Sequence, residues 1–179
     1  NRSASIDYVV AWYYKAAEYI QNTKIKVAFV STNSICQGAQ IEPIWKRLIE
    51  EYKIVNEIVS KIEHPFYGVV VAVADAERIF DTTTIAKAAN QCLALKGIRA
   101  SFVIGRTGNK EVKISARSDG SVNVQLLAEK LGGGGHYSMA AVTFDGSTCD
   151  TVRESLINVL DQHLSDAKND DKTRKFGED

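Results

Sequence analysis

The chain has 179 residues, enough for one ordinary domain with its own core or a smaller domain with an appendage. Its 22 Lys and Arg balance 22 Asp and Glu, which argues against bulk attraction to nucleic acid and leaves any anion to a local site. The three cysteines, Cys36, Cys92 and Cys149, are odd in number and lack CxxC spacing, so they read as reduced thiols rather than a disulfide framework or zinc site.

In chain order, a helix is predicted over residues 7–20, with Tyr8, Trp12, Ala16 and Tyr19 on one face. A strand follows over 25–30. Helical character resumes over 41–62, where Trp45, Leu48 and Ile49 begin an apolar stripe that Ile54, Ile58 and Ile62 continue. His64-Pro65 ends it. Trp12 and Trp45 read as core anchors, and His64 as a loop residue. The β-branched run over 67–73 predicts a strand buried on both faces. Asp81 is placed as N-cap of a helix over 82–95, with Ile85, Ala88, Ala89 and Cys92 inward and Gly97 at its end. Strands over 100–105 and 111–117 flank the turn Thr107-Gly108-Asn109-Lys110. A short helix over 123–131, a glycine run, a strand over 139–144 and a closing helix over 151–164 complete the pattern. His163, near the end of that helix, suits the helix dipole.

The fold class is therefore α/β: a small mixed β-sheet with flanking helices in the order β-α-β-β-α-β-α, preceded by a helix-strand-helix extension. The expected domains are an extension over 1–50 that does not fold alone, a domain over 51–165, and a disordered charged tail over 166–179. No apolar run approaches the roughly 18 residues of a membrane span, and no signal-peptide pattern opens the chain, so a cytoplasmic protein is expected.

Gly132-Gly133-Gly134-Gly135-His136 is the most informative stretch. A helix C-cap needs one glycine at C′, which leaves three to explain. Successive backbone N–H groups in such a loop can form a concave anion site, to which His136 adds a donor. A flexible turn is the competing reading. Arg117, flanked by Ser115 and Ser118 at a strand end, is the second candidate, because a guanidinium donates two parallel hydrogen bonds to phosphate. A solvent-facing arginine is its competing reading.

Ile114-Ser115-Ala116-Arg117-Ser118, Asn123-Val124, Glu129-Lys130-Leu131-Gly132-Gly133-Gly134-Gly135-His136 and Ala140-Ala141 together resemble the DHH-associated C-terminal domain of the DHH phosphoesterase superfamily, most closely cyclic-di-AMP phosphodiesterases. Asp81-Thr82-Thr83 and the run over 96–102 fit the same group, and the similarity covers about 51–164. The resemblance implies substrate-phosphate recognition by Arg117, Gly133, Gly134, Gly135 and His136, with Ser115 and Ser118 as weaker transfers. Val142 stands where the family places a small residue, a departure that bears on packing. The family's catalytic half carries an Asp-His-His triplet and aspartates that hold manganese. This sequence has only His64, His136 and His163, none adjacent. The expectation is a substrate-recognition domain without catalytic residues or cofactor of its own, manganese belonging to a catalytic domain missing here. Expected partners are an adenine dinucleotide or single-stranded oligonucleotide, with a catalytic domain in trans or a second copy of the chain as further options.

Residues 4–49 resemble an internal stretch of an adenine-specific DNA methyltransferase, on Asp7-Tyr8-Val9-Val10-Ala11-Trp12-Tyr13-Tyr14 and Val27-Ala28-Phe29-Val30-Ser31-Thr32-Asn33. That family's Asn-Pro-Pro-aromatic motif is absent from the 179 residues, whose prolines are Pro43 and Pro65. Methyl transfer is accordingly not expected. A methyltransferase fragment or an inactive recombined chain is the alternative to a phosphodiesterase recognition domain.

Overall fold

A computed structural model describes residues 46–175 and the short runs 12–13, 15–16, 19–20 and 25–29. Among these residues the elements are α1 (Arg47–Val59), β1 (Ile62–Phe66), β2 (Val69–Val73), α2 (Thr82–Leu93), β3 (Ala100–Arg106), β4 (Glu111–Ser118), α3 (Val124–Lys130), β5 (Gly134–His136), β6 (Met139–Asp145) and α4 (Cys149–Lys175). They fall into two compact units, residues 1–56 and 57–179.

In the first unit, residues 12–13 and 15–16 are helical, and the Tyr13 ring lies 4.9 Å from that of Phe29. Trp12 is 54% exposed rather than a core anchor; helical spacing says which side chains share a face, not that anything covers it. Of the strand expected over 25–30, residues 25–29 are exposed and lie in no strand. β-propensity alone does not make a strand, which is stable only as part of a sheet. Trp45 and much of the helix expected over 7–20 lie outside the described residues.

The second unit is a six-stranded mixed sheet in the order β1-β2-β3-β4-β6-β5. Only β2 and β3 run parallel, as the α2 crossover between them requires; the other pairs are antiparallel. β2 is buried on both faces apart from its last residue. Asp81 caps α2 as its sequence indicates, accepting from the Thr83 N–H at 3.1 Å, and Ile85, Ala88, Ala89 and Cys92 are buried.

Both edge strands escape the sequence pattern. Residues 62–66, expected as helix end and loop, form β1, so His64 belongs to a strand. Pro65 is tolerated because β1 is an edge, and the register shifts between Glu63 and Phe66. α4 also continues to Lys175, through charged residues expected to be disordered. Extending a helix from a packed nucleus costs little even without apolar periodicity. His163 consequently lies well inside α4, too far from its end for a dipole role.

Strand alternation gives the sheet two faces. On one, Phe102, Ile114, Ala116, Ala140 and Val142 form the main core with Leu127 of α3 and Leu156 and Leu160 of α4. On the other, α2 packs on β3 and β4, and the Ser101 hydroxyl donates to the Ala89 carbonyl at 2.7 Å. Among the described residues no helix is long and apolar enough to cross a membrane.

Candidate functional site

Arg117 enters the site because β4 alternates. Its face is shared by Ser101, opposite it on β3, and by Met139, opposite it on β6. Met139 in turn pairs with His136 on β5. Ser101, Arg117, Met139 and His136 thus form one row across four strands. With strand spacings of about 4.8 Å, Arg117 and His136 are about 10 Å apart along that row, a distance their side chains and one phosphate can bridge. Met139 is 52% exposed and His136 is also exposed. The adjoining row on the same face is Val103, Ser115, Ala141 and Gly134.

The glycine run is built by three separate local causes. α3 starts at Asn123, whose side chain accepts from the Gln125 and Leu126 N–H groups at 3.1 and 3.3 Å. It ends in a Schellman motif: Gly132, at φ +81°, donates to Glu129 at 3.0 Å, and Gly133 donates to Ala128 at 2.8 Å. A Cβ on Gly133 would come within 2.4 Å of the Ala141 carbonyl oxygen. One on Gly135 would lie 2.5 Å from Ala140 Cα, at a φ of +152° that favours glycine. Gly134 is different, because a Cβ there meets nothing within 4 Å. The run is therefore a helix cap followed by an edge strand drawn tightly onto β6, and Gly134 alone leaves room on the open face. The turn after His136 is tied down by Ser118 N–H to Ser138 at 2.9 Å and Val124 N–H to Tyr137 at 3.0 Å.

The Arg117 guanidinium is held on two sides. Its Nε donates to Asn90 Oδ1 of α2 at 2.8 Å, and one Nη1 donates to Ser115 Oγ at 3.1 Å and to the Ala116 carbonyl at 2.8 Å. Nη2 has no partner among the described residues. Among those residues no buried side-chain nitrogen or oxygen lacks one, so Nη2 reaches solvent. Desolvation by burial lowers the pKa of Arg117 from the ordinary arginine value, yet an arginine remains charged throughout the useful pH range.

The sequence-derived candidates divide accordingly. Arg117, His136 and Gly134 share one face. Ser115 is buried on that face and serves Arg117 as an acceptor. Gly133 and Gly135 meet β6. Ser118 is not brought to the group: it pairs with Ala100 in the opposite-facing row, and its hydroxyl oxygen accepts from Gly120 and Val122 at 3.1 and 3.2 Å. It holds the turn after β4. Sequence reasoning missed Asn90 and Met139. Asn90 is the polar amide beside the inward Ala89, a signal that gains meaning only once α2 is known to cross β4.

The described residues do not fit a manganese site. Among the described residues no group of three or more His, Cys, Asp or Glu could hold a metal ion, and the open row offers donors rather than carboxylates. No chemical step is derived through such a metal.

Residues 66–166 match the DHHA1 domain family and residues 1–60 the MmeI DNA-methyltransferase domain family. The cyclic-di-AMP phosphodiesterase GdpP of Geobacillus thermodenitrificans is 32% identical over 135 residues, covering 74% of this chain and 20% of that protein. The cyclic-di-AMP phosphodiesterase PdeA of Listeria monocytogenes is 38% identical over 108 residues, covering 60% of this chain and 16% of that protein. The chain thus spans a fifth or less of the length of these relatives. An exopolyphosphatase-related protein from Bacteroides fragilis shares the fold at 19% identity, with a TM-score of 0.53 over 75% of this chain and 41% of that chain. On the match over more than half of its residues, the chain belongs to the DHHA1 domain family.

Proposed function

We propose that residues 66–166 are the phosphate-recognition part of a DHH-family phosphodiesterase whose ligand is cyclic di-AMP or a short adenine oligonucleotide. The observation that carries the reading is the row Arg117–Met139–His136, on a sheet face that leaves Met139 and His136 exposed, with Nη2 of Arg117 unengaged. The names of the two cyclic-di-AMP phosphodiesterases support the ligand class. In this reading Arg117 Nη2 and His136 donate to phosphate oxygens, and Gly134 leaves space for them. Gly133 and Gly135 let β5 lie close to β6 and so set where His136 stands.

Hydrolysis requires carboxylates and imidazoles that converge on metal ions. In this reading those residues, and manganese, come from a catalytic domain outside these 179 residues, whether in the same polypeptide or in trans. The purified chain then binds without cutting. Calorimetry with the linear dinucleotide pApA tests this. Binding that is strongly weakened in Arg117→Ala and weakened in His136→Ala is expected; binding indifferent to both, or manganese-dependent cleavage of pApA by the chain alone, refutes it.

The match of residues 1–60 to a DNA-methyltransferase domain favours a second reading for the first unit. We read it as a methyltransferase-derived piece without transfer activity, because the sequence holds no Asn-Pro-Pro run. Transfer of a labelled methyl group to DNA by the purified chain would refute that.

A further inference from the structure

Arg117 is oriented by contacts from two different elements. Ser115 and Ala116 lie on its own strand, so the Nη1 bonds fix the guanidinium only relative to β4. The Nε bond to Asn90, 27 residues earlier and on α2, is the contact that comes from elsewhere. Two nitrogens of one planar group held from two elements define its plane, and Nη2 is then the nitrogen left to meet a ligand. An arginine cannot accept a hydrogen bond, so Asn90 must present its oxygen to Nε, which leaves its Nδ2 as a second donor group. Asn90 Nδ2 has no partner among the described residues. The Asn90–Arg117 pair therefore offers two unpaired donor nitrogens, Nδ2 and Nη2, while its acceptor, Asn90 Oδ1, is engaged by Nε; unpaired donors of this kind suit an anionic oxygen.

We propose that Asn90 is a positioning residue for phosphate recognition, aiming Arg117 so that it meets a phosphate end-on through Nη2 rather than side-on through the Nε/Nη2 fork. This rests on the phosphate reading of the site. A purely structural alternative, in which Asn90 only ties α2 to the sheet, predicts lost stability without a specific effect on Arg117.

The test combines binding and spectroscopy on the full chain. Asn90→Ala, Arg117→Ala and the double variant are titrated with pApA by calorimetry. The Arg117 Nε–H resonance is followed by ¹H–¹⁵N NMR in the wild type, Asn90→Ala and Asn90→Asp. The expected result is a loss of about tenfold in affinity for Asn90→Ala, the scale of a hydrogen bond to a charged group, with the double variant no weaker than Arg117→Ala. The Nε–H signal should broaden by solvent exchange in Asn90→Ala. It should persist in Asn90→Asp, which keeps an acceptor but places a negative charge beside the ligand and so still binds poorly. An unchanged Nε–H signal in a folded Asn90→Ala, or additive losses in the double variant, overturns the proposal. If Arg117→Ala binds as well as the wild type, the phosphate reading fails and this role falls with it; a lost Nε–H signal in Asn90→Ala would then show that the geometry was right and the ligand wrong.

Discussion

Gly133 and Gly134 are chemically identical neighbours, yet the structure assigns them opposite responses to the same substitution. In Gly133→Ala the new methyl would stand 2.4 Å from the Ala141 carbonyl oxygen, 2.7 Å from Val142 Cγ2 and 2.8 Å from Val142 Cα. Carbon contacts are comfortable at about 3.5–4.0 Å, and the obstructing atoms include backbone of β6, which cannot swing away like a side-chain tip. Relief requires β5 and β6 to part, and overpacking of this kind costs about 1–3 kcal/mol. In Gly134→Ala the methyl meets nothing within 4 Å and φ is not in the left-handed region. Reduced freedom of the unfolded chain then favours the variant by about 0.4–1 kcal/mol. Urea unfolding of the full chain, followed by far-UV circular dichroism, measures both. With a slope of about 2 kcal/mol per molar urea, the Gly133→Ala midpoint should fall by about 1 M, and the Gly134→Ala midpoint should hold or rise. Because Gly134 pairs with Ala141 in the row that carries Ser115, its methyl would project onto the open face, so Gly134→Ala should weaken pApA binding while leaving the fold intact. Equal destabilisation by the two substitutions would refute the close-approach argument, since it would mean that the run needs flexibility throughout rather than clearance at particular residues.

The folded-state pKa of Asp81 is lowered, chiefly by the Thr83 N–H. Its stabilisation is thus complete above the ordinary value of 3.8 and is lost as the pH falls through the lower folded value; acid titration of Asp81→Asn should show a flatter stability profile with little change at neutral pH, asparagine being an equally good N-cap. Burial pushes the Cys92 thiol up to about 11, so at pH 8 a thiol reagent should leave it unmodified in the native chain and label it in urea, as tryptic mapping would reveal. Leu156 is fully buried in the main core, and Leu156→Ala should cost about 2–5 kcal/mol in urea unfolding. Glu63→Gln removes the exposed pair with Arg153 that links β1 to α4 and should cost no more than about 1 kcal/mol.

The central elements were legible because their residues carry one strong local signal each. Val69 to Val73 is too apolar to face water, Asp81 caps the helix that follows it, and the Ile85/Ala88/Ala89/Cys92 stripe has helical period. The family, too, was readable, from the resemblance that the residues between Ile114 and Ala141 carry. The two edge strands were not, for opposite reasons. β1 contains a proline and follows a helical apolar stripe, so its pairing with β2 leaves no local trace. β5 is made of Gly134, Gly135 and His136, which have no β-propensity to read; it is a strand because β6 lies beside it. The same gap hid the site's geometry. Ser118 looked like a neighbour of Arg117 by sequence, and alternation turns it to the other face, whereas Asn90 is remote in sequence and adjacent in space.

Helix coverage explains why recognition would sit on half of one face. α3 and α4 fill the face built from Phe102, Ile114, Ala116, Ala140 and Val142, while α2 packs on β3 and β4 of the other. Along β6 and β5 that other face keeps Met139 and His136 exposed. An ion pair on such an open strip is screened and contributes about 0–1 kcal/mol. The same guanidinium is worth several-fold more once water is excluded, because attraction scales inversely with the effective dielectric constant. The chain has no net charge to supply a long-range field in compensation. On the phosphate reading, then, pre-aiming of Arg117 by Asn90 secures geometry but not strength. On the same reading, tight binding needs a second surface that closes over the strip. The weak binding expected of these residues alone is then a consequence of one open face.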